Sequence, residues 1–209
     1  FPGDDEGNLY EGGYGGDFHN GCETLFEQDE GDDTSLDDLR SMIAEIESST
    51  PDTIESLINS RFDAEGLFSM WGVEIVSGNV DAYTSVGNNF FAYHAVEAAQ
   101  WSLIPWGADQ AFRSEDVQLS DFSGALAQRC WASAGCQAQM RDGVERVLDT
   151  WDASSFADFA LEEMDAIESD CRSDPRSDWG DYGCQEQLEL LREWVVQRSS
   201  TVRQGLAER

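Results

Sequence analysis

"NVDAYTSVGNNFFAYHAVEAAQWSLIPWGADQAF", Asn79 to Phe112, is the stretch whose pattern differs most from what surrounds it. Its two runs "NFFAYHAV" and "QWSLIPW" are short, aromatic and β-branched, and "EAA" lies between them, which outlines a β-hairpin although the alternation is imperfect. A hairpin folds the ends of the segment toward each other. Asp81 lies in the turn before it, Asn88 and Asn89 enter its first strand, and Asp109 follows its second, so two carboxylates and two carboxamides can converge.

On the N-terminal side the apolar residues keep helical time. "TSLDDLRSMIAEIESS" has Ser35 followed three residues on by Asp38, a capping-box-like start, with Leu36, Leu39, Met42, Ile43 and Ile46 on one face. Thr50 and Pro51 predict the start of a second helix, and Asp63 caps a third, "DAEGLFSMWGVEIVSG", apolar around much of its circumference and ended by Gly78. Residues 1–33 are rich in glycine and acid and read as loop, with a short strand at "NLYEG". On the C-terminal side, Met140, Val144, Val147, Leu148 and Trp151 form one amphipathic stripe. Phe156, Phe159, Ala160, Met164 and Ile167 form another, and Leu188, Leu191, Val195 and Val202 a last. The predicted architecture is α+β, mostly helical, around one central hairpin. It divides into an acidic, glycine-rich segment over 1–33 and a main body over 34–209, with helices in 34–78, the hairpin and its flanks in 79–112, and a helical part in 113–209.

The 209 residues suit one well-packed domain or two small ones, and one is expected, since domains usually run to about 100–200 residues. Asp and Glu number 43 against 12 basic residues, all arginine, for a formal charge of −31. Nucleic acid is excluded as a partner, because nothing offsets phosphate repulsion. Such a surface attracts divalent cations or basic polypeptides, and it equally suits a saline habitat with no functional meaning. No run of about 18 apolar residues predicts a membrane span. The opening "FPGDDEGNLYEGG" carries neither an initiator Met nor a leader, so processing or truncation is expected upstream.

Of the five cysteines, "CWASAGC" and "CRSDPRSDWGDYGC" suggest local disulfides Cys130–Cys136 and Cys171–Cys184 that staple C-terminal helices, with Cys22 left for a partner upstream. Disulfides favour a secreted or cell-surface location. Zinc is disfavoured, because His19 and His94 are the only histidines and neither stands at ligand spacing from a cysteine pair.

Phosphoryl transfer needs one carboxylate to orient or deprotonate an acceptor hydroxyl, and a second carboxylate with an amide oxygen to hold Mg²⁺ on nucleotide phosphates. Protein kinases order these as Asp, Asn, short hairpin, Asp; here the order is Asp81, Asn88 or Asn89, hairpin, Asp109. Plain turn chemistry accounts for the same residue types. "SGNVDAYTSVGNNFFAYH" followed by "WSLIPWGADQAF" closely resembles the CotH kinase family of spore-coat-type atypical secretory protein kinases, and "GNLYEGGYGGDF" is similar to the family's Leu-Tyr-Glu segment, so about residues 7–206 are covered.

The resemblance implies an atypical protein-kinase-like C-terminal lobe that uses ATP and Mg²⁺ to phosphorylate Ser or Thr of an exported or surface protein, basic character in that substrate suiting the charge. It implies Asp81 as the catalytic aspartate, Asp109 as the Mg²⁺-binding aspartate, and Asn88 and Asn89 at the nucleotide site. Strand alternation favours Asn88 as the second metal ligand. Tyr83, Pro105, Trp106 and Phe112 match as scaffold. Gly107 departs from the family, standing where many relatives carry Asp. No lysine is present to hold phosphates and no N-terminal lobe precedes "GNLYEGG", so this chain alone is expected to bind nucleotide weakly and to be inactive, with activity in a longer parent.

Arg61 and Arg113 are the arginines nearest the motifs, and a surface ion pair suits each better than phosphate binding. "GGYGG" reads as flexible loop rather than a phosphate loop, His94 as a strand residue rather than a base, and "EQDEGDD" as a solvated linker rather than a Ca²⁺ loop. Two other functions compete: a non-catalytic acidic surface or adhesion module retaining the kinase-like scaffold, and a hydrolase with Asp81 and Asp109 as an acid/base pair, which leaves the asparagines unexplained.

Overall fold

A computed structural model of the chain describes residues 6–31, 35–176 and 180–208. Contacts divide the chain into two compact units, Phe1–Val144 and Glu145–Arg209. The result is a mostly helical α+β protein with a four-stranded antiparallel sheet and two disulfides.

In the first unit the predicted hairpin is strands β3 (Phe90–His94) and β4 (Trp101–Pro105), registered Phe91 against Ile104 and Tyr93 against Ser102. It does not stand alone. β1 (Asn8–Gly12) pairs with β3, and β2 (Phe26–Glu30) pairs with β1, in the order β2-β1-β3-β4. Thus the segment expected to be mainly loop contributes two strands, of which β2, "FEQDE", is a correction to the sequence reading. Only Phe26 of β2 is buried, and its acids face solvent, as befits an edge strand that must not pair with other chains. Asp32 and Asp33 of the "EQDEGDD" run lie outside the described residues.

Aromatic rings fill the space under the sheet. Phe18 is fully buried and meets Phe26, Phe62, Tyr83 and Phe90 at centroid distances of 5.9–6.5 Å, drawing the glycine-rich β1–β2 connection onto the core. Helix α1 (Asp37–Ser48) buries Leu39, Met42, Ile43 and Ile46 as predicted, but its start differs. Ser35 Oγ accepts from the Asp37 N–H at 3.3 Å, and Asp38 turns away from the helix end to the sheet. There it accepts from Asn8 Nδ2 (2.9 Å), Tyr10 Oη (2.5 Å) and His94 Nδ1 (2.7 Å). α2 (Ile54–Arg61) begins later than Thr50–Pro51 indicates, because Thr53 Oγ1 takes the Thr50 N–H at 2.9 Å and closes a turn first. α3 (Ala64–Ser77) is capped as predicted, Asp63 Oδ1 accepting from Gly66 N at 3.1 Å, and Gly78 ends it in the left-handed conformation. The Asp63 N–H donates to the Trp101 carbonyl at 2.9 Å, which ties the start of α3 to β4.

α4 (Tyr83–Val86) is a single turn, followed after β4 by α5 (Ala125–Trp131) and α6 (Ala134–Ala153). Cys130–Cys136, with Cα atoms 5.2 Å apart, joins α5 to α6, and Cys22 is free and partly exposed. The second unit holds the end of α6 with α7 (Phe156–Ser173) and α8 (Gly180–Ala207), where Met164, Cys184, Leu188 and Val195 are buried against Trp151, Phe156, Leu191 and Trp194. Cys171–Cys184 links α7 to α8 across 6.0 Å. The predicted α7 stripe is too wide: Phe159 and Ile167 are more than half exposed, so the buried face narrows to Met164 and its partly covered neighbours. Among the described residues no helix is long and apolar enough to cross a membrane.

Candidate functional site

The site grows from the end of α3. Once Gly78 stops the helix, Asn79 turns the chain: its Oδ1 accepts from the Asp81 N–H at 3.1 Å, and its carbonyl accepts from Ser85 Oγ at 2.7 Å. This Asx turn fixes the backbone of Asp81 before any long-range contact is counted. α4 follows, and Gly87 ends it in the left-handed conformation.

The two asparagines then return to Asp81. Asn88 Nδ2 donates to Asp81 Oδ1 at 3.3 Å, and Asn89 Nδ2 donates to Asp81 Oδ2 at 2.9 Å and to the Asp81 carbonyl at 2.8 Å. Each carboxylate oxygen therefore receives one amide N–H, which fixes the orientation of the Asp81 side chain. Alternation predicted that only one asparagine faces the site; both do, because Asn89 is left-handed (φ 58°) and β3 starts only at Phe90. A period of two applies to extended backbone alone.

Asp109 reaches the same region through the chain that follows β4. The Trp106 N–H donates to the Asn89 carbonyl at 3.1 Å. Gly107 is left-handed (φ 64°), and a Cβ there would lie 3.0 Å from the Asn89 carboxamide carbon, so glycine meets both the backbone and the packing demand of this position. The turn Ala108–Gln110 carries Asp109, which is exposed and accepts from Gln110 Nε2 at 2.8 Å. Three backbone bonds strap the segment to the end of α3: Val80 N–H to the Gln110 carbonyl (3.3 Å), Phe112 N–H to Ser77 (2.7 Å) and Ser114 N–H to Gly78 (3.2 Å). The residue before Asp81 and the residue after Asp109 are thus hydrogen-bonded neighbours.

The remaining sequence candidates disperse. Tyr83 is fully buried, but Trp106 and Phe112 are 44 % and 39 % exposed and rim the site, with Trp106 against Phe91. Arg61 pairs with Glu45 at 3.2 Å, and Arg113 is exposed. His94 lies against Asp38 and stacks flat on Trp101 at 4.5 Å, a structural position. Burial works against ionisation of Asp38, yet the bonds from His94, Tyr10, Asn8 and the Leu39 N–H outweigh it and hold the carboxyl well below its usual range. "GGYGG" is the connection leaving β1, with Tyr14 almost wholly exposed.

Two carboxyl groups under the site were missed. Asp17 Oδ1 accepts from Phe18 N (2.7 Å) and Tyr83 Oη (3.1 Å), and its Oδ2 accepts from Ala125 N (2.8 Å). Burial raises its pKa despite the bonds from the Ala125 and Phe18 N–H groups. Glu74 on α3 is 5 % exposed and accepts from Thr84 N at 3.0 Å; burial pushes its carboxyl up to about 7, against the opposing pull of the Thr84 and Tyr83 donors. Burial and the nearby Asp17 also push the Tyr83 hydroxyl well above its usual range, so it stays a donor. Asp17 left no sequence signal, whereas Glu74, one acid inside "LFSMWGVEIVSG", did.

Among the described residues no three His, Cys, Asp or Glu side chains gather as a metal cluster. Asp81, Asn88 and Asn89 are joined by hydrogen bonds and Asp109 bonds Gln110, and the oxygens these candidates carry are carboxylate and carboxamide, the hard type Mg²⁺ takes. A family model described as CotH kinase protein matches residues 3–202. No curated protein matches the chain.

Proposed function

The chain belongs to the CotH kinase family, since the match covers nearly all of it, and from that membership we propose that it carries a kinase-like C-terminal lobe with a phosphoryl-transfer site at Asp81, Asn88, Asn89 and Asp109. The observation that carries the reading is the fixed orientation of Asp81, each of whose carboxylate oxygens takes an N–H from a different asparagine. A carboxylate positioned in this way can align a Ser or Thr hydroxyl and accept its proton as the oxygen attacks the γ-phosphorus of ATP, the bond to the ADP oxygen breaking in the same event. Asp109 and the Asn88 oxygen are the groups that would hold Mg²⁺, which when bound neutralises charge on the phosphates. The acceptor is a Ser- or Thr-bearing exported protein, a setting with which the two disulfides are consistent.

A non-catalytic module on the same scaffold draws support from Gly107, which offers no carboxylate beside Asn89, and from the exposure of Asp109. Transfer of labelled γ-phosphate from Mg-ATP to Ser/Thr peptides, measured on the protein expressed from its complete gene, separates the two. The kinase reading expects transfer that needs Mg²⁺ and disappears in Asp81→Asn; an inert wild type, or a fully active Asp81→Asn, overturns it in favour of the module.

A further inference from the structure

Glu74 holds both ends of one short excursion of the chain. Its main-chain carbonyl, at the end of α3, accepts from Gly78 N and from Asn79 N (3.1 Å). Its side-chain Oε2 accepts from Thr84 N at 3.0 Å on the far side of the loop, and the Tyr83 N–H and the Thr84 hydroxyl also act on the carboxylate. Between these anchors the chain runs from Asn79 to Thr84 with Asp81 at the turn, and three residues past Thr84 it delivers Asn88 and Asn89 back to Asp81. The residue before α4 is Ala82, which has no side chain to cap the turn, so the capping acceptor comes from α3 instead.

We propose that Glu74 is a positioning residue for the Asp81, Asn88 and Asn89 set: its buried carboxylate fixes the loop that spaces the aspartate from the two asparagines, and its protonation resets that spacing. The role of those three residues is taken from the reading above. A carboxylate can accept from all three donors at once, whereas its protonated form gives up one acceptor and must donate its own proton, which the Thr84 hydroxyl can take only by reversing its role from donor to acceptor. Losing one acceptor in a buried, fully bonded network therefore moves the loop.

Few other charges act on Glu74. From α4 it faces Tyr83, whose hydroxyl in turn bonds Asp17; β4 carries no ionisable side chain, and α6 meets α3 through Gly143 beside the Phe68 carbonyl. Among the described residues no arginine pairs with Glu74. Tyr83 keeps its proton through the neutral range and is not the source of a neutral-range inflection in this region, and replacing Glu74 tests whether Glu74 is.

The decisive experiment is a pH titration of ¹⁵N-labelled protein by NMR, which needs no enzymatic activity. In the wild type the Thr84 amide and the side-chain NH₂ signals of Asn88 and Asn89 shift together with a midpoint near 7. In Glu74→Gln that shared inflection vanishes, and in Thr84→Val it survives but moves upward, because one donor to the carboxylate is gone. Asparagine signals with no inflection in the wild type overturn the proposal, as does an inflection unchanged in Glu74→Gln. If Glu74→Gln does not fold, the wild type and Thr84→Val still decide. In the protein expressed from its complete gene, with Mg-ATP and acceptor peptide, kcat of Glu74→Gln is expected to fall roughly ten- to a hundredfold and to lose its neutral inflection while KM for ATP holds. A wild type that transfers no phosphate defeats the kinase reading and leaves the NMR result standing.

Discussion

In the first unit, Glu74 and Asp17 are buried and held by backbone N–H groups and hydroxyls, whereas in the second Arg192 reaches Asp165 and Glu168 on one surface and Arg203 reaches Asp149 and Asp152 on another. Both units draw on the same acid-rich composition, and they use it differently. An exposed ion pair contributes little because water competes for both partners, while a buried carboxyl fixes the groups that donate to it and makes their position depend on its charge. Among the described residues, left-handed non-glycine residues of the first unit include Asn89 and Phe112 in the segments that carry the candidate site, and the second unit has only Ser155, at the start of α7. Strain and buried charge accompany the loop that carries Asp81; helix packing and a disulfide accompany the hairpin of α7 and α8.

The contrast sets the scale of what each change should do. Asp81→Asn keeps an acceptor for the asparagines but removes the proposed base, so in the protein expressed from its complete gene phosphate transfer should fall by about 10²–10⁴-fold with the melting temperature nearly unchanged, as paired kinetic and thermal measurements will read. Removing Cys171–Cys184 by a double alanine substitution releases a loop of 13 residues and should cost the second unit on the order of 3 kcal/mol. Hydrogen exchange should show faster opening of α7 and α8 and leave β1, β3 and β4 protected. Equal loss of protection in both units would mean that the two do not unfold separately.

Glu74→Gln comes next. The folded pKa is raised, so the protonated carboxyl stabilises the fold fully below about pH 4.5, and that contribution is lost as pH climbs through about 7. Wild type should therefore lose stability over that window, and the variant should lose less, by on the order of 3 kcal/mol at pH 8 in urea titrations. Asp38 works with the opposite sign: its pKa is depressed, so its contribution is present above the usual carboxylate range and disappears on strong acidification. The smallest effect belongs to Arg203→Ala, expected at about 1 kcal/mol or less and fading with added salt, because its partners are exposed surface acids.

What the sequence disclosed depended on the range of the interaction. Asp63 and Gly78 bound α3 through contacts within three or four residues, and both were legible. So was the hairpin, since Phe90, Ala92, Trp101 and Leu103 carry their own burial pattern. Asp38 looked like half of a capping box because its real partners, Asn8, Tyr10 and His94, are 28–56 residues away and reach it only through the sheet. β2 was hidden by its acids, which reflect an edge position that exists only after β1 has paired. At the candidate site, residue order only suggested Asp81, Asn88 or Asn89, and Asp109, and the resemblance to the CotH kinase family singled them out, but the left-handed turn that aims both asparagines at one carboxylate is a property of backbone conformation that no alternation rule contains.

Paramagnetic broadening tests the oxygen site itself. When Mn²⁺ and ATP are added together to ¹⁵N-labelled protein, the side-chain amides of Asn88 and Asn89 and the backbone amides of Asp109 and Gln110 should broaden far more than those of the acidic edge strand β2, and Asp109→Asn should relieve the effect. Broadening that tracks surface acidity, with Asn88 and Asn89 untouched or with Asp109→Asn making no difference, would contradict a single metal-nucleotide site built from Asp81, the two asparagines and Asp109.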